Sequence, residues 1–313
     1  MSLQGENLKA IADAIRNKKG TSEPIKASDF ASEILSIESG SSGANGEYNI
    51  KVLKLENGTY KLAITDYDYI SQSYDRVFGN NTPLQISTVS EEISKNGYNS
   101  TQVAEIYGWN LGDIISIPLT TGENIELQII GINHDTKSDG SGKAGITLQM
   151  VNRLATTYPM NSTSTNAGGY SASVIKTETL PTFKALLPQE WQNIIKLVDK
   201  KSANGGGTNY TETLTSSEDL FLLSEIEMFG TIAYAQNGTD EGNIYEYWDE
   251  KTNSDKIKQY DTNADSIVDT AVIWWLRSCS STQNNRFCTV NRSGNANVTA
   301  STLSEGISFA FCI

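Results

Sequence analysis

The reading of the chain turns on residues 273–313, IWWLRSCSSTQNNRFCTVNRSGNANVTASTLSEGISFAFCI. The segment opens on an apolar run, Ile273-Trp274-Trp275-Leu276, and closes on another from Ile307 to Ile313. The residues between are mostly Ser, Thr, Asn, Gln and Gly, interrupted by Phe287, Val290, Val298 and Leu303. Such a polar tract taken alone reads as disordered. Its flanks argue otherwise: aromatic, β-prone ends need burial and are expected to pair as strands. The tract is therefore expected to form short strands and loops on a rigid base. Small adaptable polar groups in that setting suit a recognition surface. The candidate ligand-binding residues are Ser281, Thr282, Gln283, Asn284, Asn285, Arg286, Thr289, Asn291, Arg292, Ser293, Asn295, Asn297 and Thr299.

The same segment holds Cys279, Cys288 and Cys312. An odd number at no metal-like spacing argues against a disulfide framework or a zinc site. Cys279 and Cys288 would bridge only from adjacent strands, and buried free thiols are the expected state.

Immediately upstream the chain is acidic. No Lys or Arg lies between Lys201 and Lys251, while Glu212, Glu218, Asp219, Glu225, Glu227, Asp240, Glu241, Glu246, Asp249 and Glu250 do; a solvated acidic face is expected. The net charge of -13 over 313 residues argues against a nucleic-acid partner, which needs clustered cations. No apolar run approaches a membrane span, and the first residues lack the basic-then-apolar pattern of a secretion signal.

Strand alternation is clearest at Ile115, Ile117 and Leu119, then Ile125, Leu127 and Ile129, across a Thr121-Gly122 turn: an antiparallel hairpin. A strand follows at Ile146–Val151, a helical pair across Ser171–Lys200, and a strand at Phe221–Phe229. That strand would place Glu225 and Glu227 on its solvent side, not as paired catalytic carboxylates. A helix is expected within Gln85–Tyr107. Nearer the start, residues 48–83 hold a hairpin, Tyr48–Leu55 and Thr59–Thr65, turning at Asn57-Gly58. Residues 39–47 are a flexible linker by composition. Residues 1–38 form a small helical hairpin (Leu8, Ile11, Ala12 and Ile15 on one face, Phe30, Ile34 and Ile37 on the next), too small to stand without a partner. The remaining domain spans 84–313, and the whole is α+β: a C-terminal antiparallel sheet with two helices, preceded by the helical hairpin and the β-hairpin segment.

Other motifs read as structure. Gly140-Ser-Gly-Lys-Ala-Gly145 matches a dinucleotide fingerprint in letters, but a strand follows where a helix is needed, so it is a turn. His134, the sole histidine, is expected in a turn, hydrogen-bonded to Asp135 or backbone. Asp261, Asn263 and Asp265 are spaced like a calcium loop, yet Ser266 and Val272 replace its turn glycine and closing glutamate. No metal, cofactor or catalytic group is assigned, and the chain is not expected to be an enzyme.

Two resemblances add context. LKAIADAIRNKKGTSEPIKASDFASEI, residues 8–34, resembles the short N-terminal module of tail- and baseplate-associated proteins of phages infecting Gram-positive gut bacteria. GDIISIPL, GINHDTKSDGSGKAGITLQM, LATTYPMNSTSTNAGGY, LFLLSEIEMFG, WWLRS and the terminal FAFCI resemble an uncharacterised domain family of gut bacteria and their phages. That family is related to C-type-lectin-like folds, including retroelement-diversified variable proteins. These resemblances imply a C-type-lectin-like fold displaying a ligand-binding face on its C-terminal strands. The Glu-Pro-Asn and Trp-Asn-Asp motifs of calcium-dependent sugar lectins are absent. The expected role is a phage-tail or prophage-derived receptor-binding protein in the virion tail, a homo-oligomer contacting tail proteins and a host-surface glycan or protein. The alternatives are a purely structural tail decoration and a glycan-acting enzyme on the same fold.

Overall fold

A computed structural model describes residues 74–207, 212–236, 238–259 and 271–313, and the backbone of two earlier strands, Ile50–Lys54 (β1) and Tyr60–Ile64 (β2). The chain divides into two units between Ser73 and Tyr74. In the first, β1 and β2 pair antiparallel from Ile50 opposite Ile64 to Lys54 opposite Tyr60, the hairpin expected there. The expected helical hairpin at 1–38, the linker and the 261–265 loop lie outside the described residues. Among the described residues no helix is long and apolar enough to cross a membrane.

The second unit, Tyr74–Ile313, is a mixed α+β structure with mostly antiparallel sheets. It opens with helix α1, Pro83–Asn96, and helix α2, Ser100–Tyr107. One helix becomes two because Gly97 takes a left-handed φ of 65° that ends α1, while Asn99 caps α2. Thr82 with Gln85, and Asn99 with Gln102, form capping boxes that satisfy the free N–H groups of each first turn.

Strands β3 (Ile114–Pro118) and β4 (Asn124–Ile132) form the anticipated hairpin, Ile115 opposite Leu127 and Ile117 opposite Ile125. With β5 (Ile146–Met150), β9 (Leu220–Phe221) and β14 (Ala310–Cys312) they make a five-stranded sheet in the order β3-β4-β5-β14-β9, while β6 (Tyr158–Pro159) pairs separately with β13 (Ser304–Glu305). β5 and β14 are buried along their whole length, so both faces are covered. Helix α3, Leu180–Leu186, sets Phe183 against Phe309, and helix α4, Gln189–Ile194, sets Trp191 against Phe311, ring centroids 6.4 and 6.3 Å apart.

The helical pair stops short of its expected end. Val198, inside the expected helical span Ser171–Lys200, begins strand β7, Val198–Ala203, which pairs with β8, Thr213–Glu218. Val198 is fully buried there beside Phe221 and Leu276 in the core, so burial explains its apolar character without a helix. The Phe221–Phe229 strand is also corrected: β9 ends at Phe221, and Glu225–Phe229 is a short helix, α5. Ser224 accepts from Glu227 N–H while the Glu227 carboxylate accepts from Ser224 N–H, a capping box in which alternation had suggested a strand. Helix α6, Glu246–Asp249, brings Trp248 into the core.

The C-terminal flanks do not pair with each other as strands. Strand β10, Trp274–Cys279, heads a three-stranded antiparallel sheet with β11 (Arg286–Val290) and β12 (Ala296–Ala300), whereas Ala310–Cys312 joins the five-stranded sheet. A single parallel bridge, Trp274 to Gly306, links β10 to the residue just before the second flank. Burial remains the cause: Trp274, Trp275, Leu276 and Phe311 are all fully buried.

Candidate functional site

The polar C-terminal residues separate into three sets. Ser281 to Asn285 form the β10–β11 loop, and Asn291 to Asn295 form the β11–β12 turn at the opposite end of β11. Thr289 and Thr299 lie between them and are corrected out of any surface: 0% and 4% exposed, they face each other with hydroxyls 3.2 Å apart. Arg286 is half-buried and donates to Val298 C=O, while Asn297 on β12 stays half-exposed.

Both loops have an occupied backbone and open side chains. Asn166, fully buried, donates from Nδ2 to Gln283 C=O and Arg286 C=O at 3.1 and 3.0 Å, and its own N–H donates to Asn284 C=O. Its Oδ1 accepts from Gly206 N–H, tying the loop to the end of β7. Gly205, at φ 66°, lies so close to the Asn166 carbonyl that a Cβ would overlap it. Ser281 N–H donates to Tyr234 C=O, and Ser301 N–H to Asn285 C=O. In the turn, Asn291 Oδ1 accepts from Ser293 and Asn295 N–H. Thr282, Asn285 and Asn295 have protein partners in Ser280, Ser164 and Asn253. The Gln283, Asn284, Arg292, Ser293 and Asn297 side chains make no hydrogen bond to the described residues.

Beneath β10 lies a buried charge network that sequence reading missed. Arg277, fully buried mid-strand, spends all five N–H groups: on Lys201, Leu222 and Glu241 carbonyls and on both Glu227 oxygens. Lys200 Nζ reaches Glu227 Oε1 at 2.9 Å and Tyr245 Oη at 2.7 Å, and also pairs with Asp135. Tyr245 Oη donates to Asp135 at 2.9 Å, and Thr147 Oγ1 does so at 2.6 Å. Burial alone would raise both carboxyls; Lys200 holds Asp135 well below the usual range, and Arg277 with Lys200 holds Glu227 below it. Two cations thus balance two carboxylates, the condition for burying charge at tolerable cost. A lone Arg within WWLRS was the available signal, since an arginine amid buried strand residues needs a carboxylate partner.

Glu225 and Glu227 therefore do not face solvent. Glu225 is fully buried and accepts from the N–H groups of Ala233, Tyr234 and Ala235, so it shapes a loop. The acidic stretch is not one solvated face either: Glu218, Glu225, Glu227 and Glu241 are all buried. Burial pushes Glu241 up to about 7, although its oxygens accept from Ala203 N–H and Ser278 Oγ–H. The three cysteines are free and buried, although β10 and β11 are adjacent, and burial pushes their thiols upward. His134 stacks on Tyr245, centroids 4.0 Å apart, and does not hydrogen-bond Asp135. Gly140 and Gly142 form the expected turn: Gly140 N–H donates to Lys137 C=O and Lys137 N–H to Gly142 C=O.

Residues 145–313 match a family described as a domain of unknown function (DUF6273). The match covers more than half of the chain, which therefore belongs to that family. No curated protein and no solved structure matches the chain.

Proposed function

We propose that the chain is a non-catalytic recognition protein, carried on a phage or prophage tail, that binds a host-surface glycan or protein through its C-terminal loops. The observation that carries this reading is the contrast between the hydrogen-bonded backbone of the two loops and the side chains of Gln283, Asn284, Arg292, Ser293 and Asn297, which make no hydrogen bond to the described residues. Fixing the loop backbone before binding lowers the entropy cost of ordering it, leaving amide and guanidinium groups ready for hydroxyls or carbonyls. The α+β architecture with mostly antiparallel sheets accommodates the C-type-lectin-like fold that the sequence resemblance implies. The tail context rests on the resemblance of residues 8–34. Several copies on one tail would convert weak single contacts into avidity.

The test is binding of the multimerised full chain to a glycan array and to gut Gram-positive cells. Its control is a folded variant with Gln283, Asn284, Arg292 and Asn297 changed to Ala. Binding that disappears in the variant supports the reading. Absence of binding anywhere supports a structural tail component instead, and binding unchanged by the substitutions moves recognition to another surface.

A further inference from the structure

A cleft of about 540 Å³ opens above the Lys200–Asp135–Glu227 cluster, away from the residues of both C-terminal loops. Its size falls in the range of small-molecule sites, roughly 300–1,000 Å³. Apart from Gly242 the lining residues are polar or charged, with no Ala, Val, Leu, Ile or Phe, so an apolar ligand would desolvate them without return. We propose that this cleft binds an amino-bearing mono- or disaccharide.

Hydrogen-bonding capacity supports the ligand class. The side chains of His134, Asp199, Lys201, Thr215, Asp240 and Asn243 line the cleft and make no hydrogen bond to the described residues. Together they offer a mixed array of donors and acceptors, suited to clustered hydroxyls. The His134 ring is held by its stack on Tyr245. Tyr245 is itself fixed by bonds to Asp135 and from Lys200, so the imidazole rests on a rigid base. Burial lowers the His134 pKa, which leaves a neutral ring with one donor and one acceptor.

Charge narrows the class. On the floor Asp135 and Glu227 are paired with Lys200 and Arg277, and a third carboxyl, Glu241, accepts from Ala203 N–H and Ser278 Oγ–H. On the rim the Asp199 and Asp240 carboxylates, both exposed, outnumber the exposed Lys201 ammonium. The surplus favours a protonated amine and disfavours acidic sugars and phosphates. A metal ion is a poorer fit: among the described residues no three His, Cys, Asp or Glu side chains are grouped to hold one.

The chain's single histidine makes the test direct, since its imidazole C–H resonances belong to His134 alone. The full chain is titrated with glucosamine, glucose and glucuronate while those resonances are followed. Glucosamine is expected to shift them saturably, with glucuronate at least about tenfold weaker. The Asp199→Asn, Asp240→Asn double variant, exposed positions checked for an unchanged melt, is expected to weaken glucosamine by about tenfold. The idea is overturned by the absence of a saturable shift, by glucuronate matching glucosamine, or by a double variant that binds as before. The variant lacking the loop side chains should leave this titration unchanged, so failure of the loop reading and failure of the cleft reading remain separable.

Discussion

Glu241 is the side chain through which pH acts most directly on this fold. Its carboxyl is raised by burial to about 7, above its value of about 4.3 in an unfolded chain. A group raised in the folded state contributes stability fully present below its unfolded pKa, and that contribution is lost as pH rises through the folded value. Glu241→Gln keeps the shape and removes the titration. The melting temperature of the variant should match the parent near pH 4 and exceed it by several degrees at pH 8. Thermal melts across that range check this, and parallel curves would show that Glu241 does not titrate in the window. Little of this was legible beforehand. The acidic run showed many carboxylates and no neighbouring cation, whereas the partners are Arg277, from a distant strand, and Ser278 beside it. The free, buried state of the cysteines was readable, because neither their number nor their spacing suited a bridge or a metal.

At the scale of elements, Asn166 joins four segments: its own loop, the β10–β11 loop, the start of β11 and the glycine run after β7. Asn166→Ala leaves the Gly206 N–H without its partner and removes one of two donors from each of the Gln283 and Arg286 carbonyls, with an expected cost of about 1–3 kcal/mol. Amide exchange in 281–286 should quicken, while β5, in the centre of the five-stranded sheet, keeps its protection. Exchange unchanged in the loop would mean that Asn166 is not what holds it. The β3–β4 hairpin was readable because one of its faces is exposed in β3, so polar and apolar residues alternate. Helix α5 was not. Five residues give too little periodicity to tell helix from strand, and the decisive feature was the Ser224-to-Glu227 cap rather than the apolar pattern. Val198 misled for a related reason: an apolar residue just past a helical pattern extends it on paper, while the extended backbone at Ile195 ends it in space.

For the whole molecule, composition and patterning sufficed for the α+β class and for the rigid setting of the C-terminal tract. The arrangement of its strands was not legible. Whether the two apolar ends of 273–313 pair with each other or join separate sheets depends on β5, β9 and β11, partners that local pattern does not reveal. The candidate surface was legible as a set of residues and only partly as a shape, because strand pleating turns Thr289 and Thr299 inward and puts the two loops at opposite ends of β11. If those loops are the recognition surface, a bound ligand must cover them. Hydrogen exchange of the full chain, with and without purified cell-wall glycan from a strain it binds, measures that directly. Recognition by the loops predicts slowed exchange at residues 281–286 and 291–297, with or without slowing at the cleft residues. Slowing confined to 199–201 and 240–243, or none anywhere, would contradict it.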